Sequence, residues 1–349
     1  MPLRVRERRG GRRDPYFDNA KFLAILLVVA GHALGPLEDA RFVGAEHLFV
    51  WTFHMPVFIV IAGYFSRTFP SSPEKVRRLI GALAVPYLVF DVVYSLVGHW
   101  IGGYWGGDKF VLSPLSPYFV TWFLLALLVW RLSTPVWQQL RWPLPVAVGI
   151  SMMAGALEVT PDRSFGRILG LLPFFVLGLT LNERHFAVVR RPLVRAAAVP
   201  VLAAGAAVAY LAEPHMSEEW MTWRHSYENL GVSVAVGMGM RLGLLVCGVT
   251  LTAAFLALVP ARRTWFTELG SRSLYPYLLH GLLYMVAGPI GVYAWLSGLD
   301  TLAAAMIIVV ASGVVTVILS TDALRRALRW LVEPPLDVVF RPRGRLRPE

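Results

Sequence analysis

Apolar runs long enough to cross a bilayer recur from one end of this 349-residue chain to the other. In hydrocarbon the backbone must satisfy its own polar groups, so a spanning segment is a helix of roughly 20 mostly apolar residues. About ten such runs fit, at 17–36, 47–66, 79–99, 117–132, 143–158, 166–182, 196–212, 231–258, 273–295 and 301–320. The chain is therefore expected to be an all-α polytopic membrane protein, a bundle of about ten transmembrane helices. Charged residues make up only 16% of it, against about 25% in a typical soluble domain. The expected organisation is a basic N-terminal segment (1–16), one transmembrane domain (17–320) and a basic tail (321–349).

A net charge of +11 would suit a nucleic-acid binder, but the distribution of the cations points elsewhere. Most of the Lys and Arg fall before the first run, after the last one, or in alternate hinges between runs, the pattern that orients spans by positive loops. Both termini are thus expected in the cytoplasm, with the chain multi-pass in the plasma membrane and no nucleic acid as partner. The single cysteine, Cys247, lies in an apolar run and is expected to be a small packed side chain. No cleavable signal peptide is read, because the first run is of spanning length and carries charges.

The opposite-side loops have another character. One is rich in Gly and aromatics, "GHWIGGYWGGDKFVLSPLSPY" (98–118), and another mixes acids, histidines and Trp, "EPHMSEEWMTWRHSYENLG" (213–231). Trp and Tyr anchor spans at membrane interfaces. Trp220 and Trp223, interleaved with Glu218, Glu219 and Arg224, would equally suit a surface that stacks on and hydrogen-bonds a sugar.

The first run, "FDNAKFLAILLVVAGHAL" (17–34), carries Asp18, Lys21 and His32. An ionisable group at the bilayer centre is unfavourable by about 3 kcal/mol on insertion scales, so such residues face partners or water. Lys21 and His32 are eleven positions apart, which places them on one helix face about 16 Å from each other, with Ile25 and Val28 between. Asp18 precedes Lys21 by one turn on nearly the same face. The second run holds His54 two residues before Pro56, which frees a backbone carbonyl near Thr52 and opens a recess. Gly63 and Tyr64 then admit a neighbouring helix closely. The ninth run holds Pro276 and His280, with Tyr275 and Tyr277 read as interfacial anchors. These histidines lack the i, i+3 or i, i+4 spacing of a helical metal site, and no metal is expected.

The segments "FDNAKFLAILLVVAGHAL", "FHMPVFIVIAGYF", "TWFLLALLVW", "LLPFFVLGL" and "LGSRSLYPYLLHG" resemble, in that order, the acyltransferase 3 family of integral membrane acyltransferases. The opening segment is most similar to the branch related to fucose 4-O-acetylases. The resemblance runs from about residue 15 to 325. It implies a ten-helix enzyme that moves an acyl group, commonly acetyl, from cytoplasmic acyl-CoA to a hydroxyl of a sugar, polysaccharide or other envelope or secondary-metabolite acceptor. Acyl-CoA is then a donor substrate, and no permanently bound cofactor is implied. The family's first-helix signature, an arginine and a histidine separated by ten residues, is met by Lys21 and His32. Lysine offers a point charge where arginine offers a fork. Relatives often carry an extra extracytoplasmic domain beyond the last helix, and here the membrane domain itself is expected to bind the acceptor.

Ester formation from a thioester needs a base for the acceptor hydroxyl and a positive group for the oxyanion. His32 is the expected base, with His54 as second choice or as a positioning partner. Lys21 would meet the phosphate end of CoA or pair with Asp18. Arg67, Lys75, Arg77 and Arg78 could hold CoA phosphates, although loop orientation alone also calls for them. His280, Trp220 and Trp223 complete the expected binding residues. The rival function is a secondary transporter of a small polar solute, which also uses buried ionisable groups and broken helices; a catalytically inactive member of the fold is a third. The sequence names neither the acceptor nor the oligomeric state.

Overall fold

The computed structural model describes residues 14–67, 73–101, 116–157 and 163–333. The N-terminal arginines, the basic tail from 334 and most of the Gly- and aromatic-rich loop (102–115) lie outside the described residues. Among those described, every regular element is helical. In chain order they are α1 (Pro15–Leu34), α2 (Arg41–Ser66), α3 (Pro73–Leu79), α4 (Val85–Ile101), α5 (Trp122–Gln139), α6 (Pro143–Ala156), α7 (Arg163–Gly170), α8 (Leu172–Thr180) and α9 (Glu183–Val189). There follow α10 (Pro192–Ala212), α11 (Glu219–Thr222), α12 (Val234–Leu258), α13 (Thr267–Gly270), α14 (Leu274–Ala287), α15 (Val292–Leu296), α16 (Thr301–Leu319) and α17 (Asp322–Val332).

Local chemistry sets several starts. Asp14 accepts a hydrogen bond from the Tyr16 amide, with Pro15 in the first turn of α1. Asp300 accepts from the amides of Leu302 and Ala303 at the start of α16, and Ser233 from Val236 at the start of α12. Each cap satisfies a backbone donor that the helix itself leaves open.

Seven helices are long and apolar enough to cross a membrane, and an eighth counts if a bent pair is one span. The fifth, sixth and ninth expected runs depart from the reading of ten full spans. The fifth and ninth form α6 and α14, of 14 residues each, which rise about 21 Å where the hydrocarbon is about 30 Å thick. The sixth is divided between α7 and α8, which part at Leu171; beyond its end the chain bends by 102° into Glu183–Val189, where Asn182 caps the new helix. Apolar composition alone does not record where a helix stops, and here Pro, Gly and Asn stop it.

Helix α2 is the hub, packing on α8, α1, α10 and α12. Its crossing with α8 is made glycine to glycine. A Cβ on Gly63 would stand 2.2 Å from the Phe175 carbonyl oxygen, and one on Gly178 would stand 2.3 Å from that of Val60. Small residues of this kind let backbones meet where lipid gives no hydrophobic drive. Gly248 of α12 plays the same part against the Thr52 carbonyl, the group near which Pro56 leaves the helix ladder open. Leu193, Val199, Val208 and Leu211 on α10 are exposed, as is Cys247 of α12. Cys247 is thus on the outer apolar surface and not packed inside as expected; the run that carries it has one face turned out of the bundle.

Candidate functional site

The candidate site is a cavity of about 490 Å³ at the C-terminal end of α1. Val28, Gly31 and His32 of α1 form one wall, and His47, Trp51 and His54 of α2 another; Phe119, Trp122, Arg167, Trp223 and Tyr277 close it. Thus His32, His54 and Trp223 of the expected site residues share one space.

His32 is held by rings. Phe119 meets it edge-on at 5.2 Å between centroids, Trp51 lies at 6.1 Å and His280 at 5.5 Å. Behind it His280 is fully buried. The His280 Nδ1–H donates to the Pro276 carbonyl at 2.7 Å, which fixes the tautomer, since a carbonyl can only accept. Its Nε2 is buried, with no hydrogen-bond partner among the described residues. His54 has the same arrangement, with Nδ1–H donating to the Val50 carbonyl at 2.8 Å. In both rings the lone pair is therefore on Nε2. Gly281 makes room for this corner: a Cβ there would stand 2.5 Å from the Tyr94 hydroxyl oxygen and 2.7 Å from the Phe119 ring.

Backbone strain marks the same place. Among the described residues only two other than glycine have positive φ, Phe119 at 47° and Trp223 at 58°, and both line the cavity. A bulky residue in the left-handed region is unfavourable and persists where the surroundings enforce it. For Phe119 the enforcing group is Asp91, whose Oδ1 accepts from the Tyr118 amide at 2.7 Å and the Thr121 hydroxyl at 2.9 Å. For Trp223 it is the close fit against Gly170, whose Cβ would stand 3.1 Å from the indole.

Several lining residues were not singled out from the sequence. The His47 Nε2–H donates to the carbonyl of Gly31, next to His32, at 3.0 Å, and its Nδ1 faces Glu218 Oε2 at 3.1 Å. Trp51 stacks on it at 4.7 Å and 19°. His47 so ties the loop that carries Glu218 to the backbone beside His32. Tyr277 is buried, not an interfacial anchor: its hydroxyl donates to the Val120 carbonyl. Tyr275 is buried too. Only the three-dimensional crossing of α14 with the 119–121 turn could have placed Tyr277 on the cavity wall.

The remaining expected residues lie elsewhere. Asp18 and Lys21 form an ion pair of 2.7 Å at the other end of α1, with Lys21 about a quarter exposed, and neither lines the cavity. Arg67 donates to the Leu181 carbonyl at 2.8 Å and covers the Tyr64 ring at 3.9 Å, joining the ends of α2 and α8. Lys75, Arg77 and Arg78 are on α3, away from the cavity. Trp220 packs with Leu48, Ala209, Met221 and Tyr227 and does not face the cavity, unlike Trp223. Among the described residues no cluster of His, Cys, Asp and Glu could hold a metal ion.

Comparison with characterised proteins and with solved structures finds no match. The family model for the acyltransferase 3 domain matches residues 14–324, which takes in every helix described except the end of α17. The chain belongs to the acyltransferase 3 family and is a multi-pass membrane acyltransferase.

Proposed function

We propose that the protein transfers an acyl group, most simply acetyl, from acyl-CoA to a hydroxyl of a sugar, polysaccharide or similar acceptor bound in the cavity beside His32. The likeness of the opening segment to the fucose 4-O-acetylase-related branch supports a carbohydrate acceptor. The observation that carries the reading is an imidazole on the wall of a roomy cavity, backed by a second ring with fixed tautomer. Acyl transfer to oxygen needs a base beside room for both substrates, which that combination supplies.

His32 acts as general base. It takes the proton of the acceptor hydroxyl as the oxygen attacks the thioester carbon, then returns it to the departing CoA thiolate. His54 lines the same cavity and positions the acyl group; His280 sets the orientation of His32. Trp51, Trp122, Phe119 and Trp223 give the apolar faces on which a sugar ring stacks.

Cation alternation along the chain supports cytoplasmic termini. On that topology the cavity opens on the extracytoplasmic side, and Lys21 sits near the cytoplasm about 16 Å down the same helix. Lys21 is then placed for the phosphate end of the donor, with Asp18 as its resting partner. Arg77 and Arg78 on α3 belong to the same cytoplasmic end and add charge for the CoA phosphates. Ile25 and Val28, both buried, line the stripe that separates the two ends.

The test is acceptor-dependent release of CoA by purified protein in lipid nanodiscs, supplied with acetyl-CoA and a panel of neutral and anionic sugars. The reading predicts stoichiometric acceptor acetylation. No transfer from any acyl-CoA, together with solute counterflow in liposomes lacking CoA, would replace the enzyme by a transporter.

A further inference from the structure

Among the described residues Arg167 has no counter-ion. It sits in α7, lines the cavity that His32 lines, and among the described residues no carboxylate oxygen comes within 4.0 Å of its guanidinium. Two contacts fix it. The Nε–H donates to the Thr222 carbonyl at 3.0 Å, and the guanidinium carbon lies 4.5 Å from the centre of the Trp122 ring. These use one nitrogen and one face, and leave the two terminal amino groups of the fork without an acceptor among the described residues.

The helix beneath is held as firmly. The Ser151 hydroxyl donates to the Gly170 carbonyl at 2.7 Å and the Trp130 indole N–H to the Ile168 carbonyl at 3.0 Å. A Cβ on Gly166 would stand 3.0 Å from the carbonyl oxygen of Arg224, so α7 is seated directly on the loop that ends the cavity. A guanidinium withdrawn from water with no anion beside it is strongly unfavourable. A rigidly held one that faces a cavity is complementary to an anion that arrives there.

The reaction proposed above forms such an anion. We infer that Arg167 is the oxyanion-binding catalytic residue, an inference that rests on the acyltransferase reading. The acceptor oxygen bonds to the thioester carbon and its proton passes to His32. The carbonyl π pair moves onto the carbonyl oxygen, which becomes the oxyanion and accepts hydrogen bonds from the Arg167 amino groups. Collapse restores the C=O bond and breaks the C–S bond; the thiolate leaves with the proton from His32, giving ester and CoA. Lys21 cannot take this role, because it is paired with Asp18 at the far end of α1. Because the guanidinium is already oriented, it needs no reorganisation when charge develops, which is where such donors gain most of their effect.

The experiment uses full-length protein in nanodiscs and measures CoA release from acetyl-CoA and longer acyl-CoAs, with the same panel of sugars as acceptors, for wild type, Arg167→Gln and Arg167→Lys. Arg167→Gln is expected to lower kcat by about 100- to 1,000-fold, with the donor KM within about threefold of wild type and an unchanged unfolding temperature. Arg167→Lys is expected to recover part of the loss, as charge without the fork should. If Arg167→Gln does not fold, the near-isosteric Arg167→Met gives the same comparison. An unchanged kcat, or a raised donor KM with kcat intact, overturns the inference and leaves the acyltransferase reading standing. Release of no CoA by wild type overturns both.

Discussion

The two ends of α1 carry polar residues and treat them in opposite ways. At the N-terminal end Asn19 is fully buried and spends all its hydrogen-bonding capacity inside the protein. Its Nδ2 donates to the carbonyls of Pro260 and Arg262 at 2.8 and 2.9 Å, and its Oδ1 accepts from the hydroxyls of Thr264 and Thr267 at 3.1 and 2.6 Å. Backbone contact is equally close there: a Cβ on Gly270 would stand 1.8 Å from the Asp18 carbonyl oxygen. At the C-terminal end His32 touches rings, faces an open space of about 490 Å³ and has an unpartnered imidazole nitrogen behind it. Saturated polar groups hold a fold together. Polar groups with capacity left over, on a cavity wall, are where a substrate supplies the missing partners.

The contrast can be broken at either end. Asn19→Ala should have the largest effect on stability, about 3 kcal/mol, since it strands two carbonyls and two hydroxyls in a buried site. Thermal unfolding checks it, and the folded fraction should keep its turnover per molecule. If Asn19→Ala left the unfolding temperature unchanged, the N-terminal end would not be the anchor described. His280→Asn should do the reverse. Turnover should fall about 100-fold, equivalent to about 2.7 kcal/mol in the barrier, with stability within about 1 kcal/mol because the amide can keep the bond to the Pro276 carbonyl and the lost Nε2 had no partner to strand.

Lys21→Met sharpens the division further. The Lys21–Asp18 pair is partly exposed and adds at most about 1 kcal/mol to stability. If Lys21 meets the donor phosphates, donor KM should rise about tenfold while kcat holds; equal losses in kcat would move Lys21 into the chemistry. The smallest effect separates the two tryptophans. Trp223→Phe should change acceptor KM about threefold through lost stacking area, and Trp220→Phe should leave it unaltered, as only Trp223 reaches the cavity. Equal effects from both would take carbohydrate stacking away from Trp223.

The chain announced its α-helical membrane class through repeated apolar runs, and the Lys21–His32 spacing put the correct face of α1 inward. The Gly63 approach was also legible, because a glycine inside a spanning helix admits a neighbouring backbone. The lengths of α6 and α14 and the division of the sixth run into α7 and α8 were not. Whether an apolar run is one helix or two depends on where the chain must turn under a neighbour, as at Leu171, and hydropathy does not carry that. Arg167 and His47 were invisible for another reason. Their meaning lies in partners 55 and 171 positions away, Thr222 and Glu218, and in a cavity that exists only once α2, α7 and the 116–122 turn converge. One signal was available for Arg167, a cation at the start of an apolar run with no carboxylate three or four positions away, which calls for a partner from outside the helix.

The assignment of His32 as the base is tested most directly by acyl transfer from acetyl-CoA catalysed by His32→Ala protein in nanodiscs, with its unfolding temperature measured on the same sample. Loss of turnover by at least about 1,000-fold, at an unfolding temperature equal to wild type, is the expected result. Wild-type turnover in folded His32→Ala protein would contradict it.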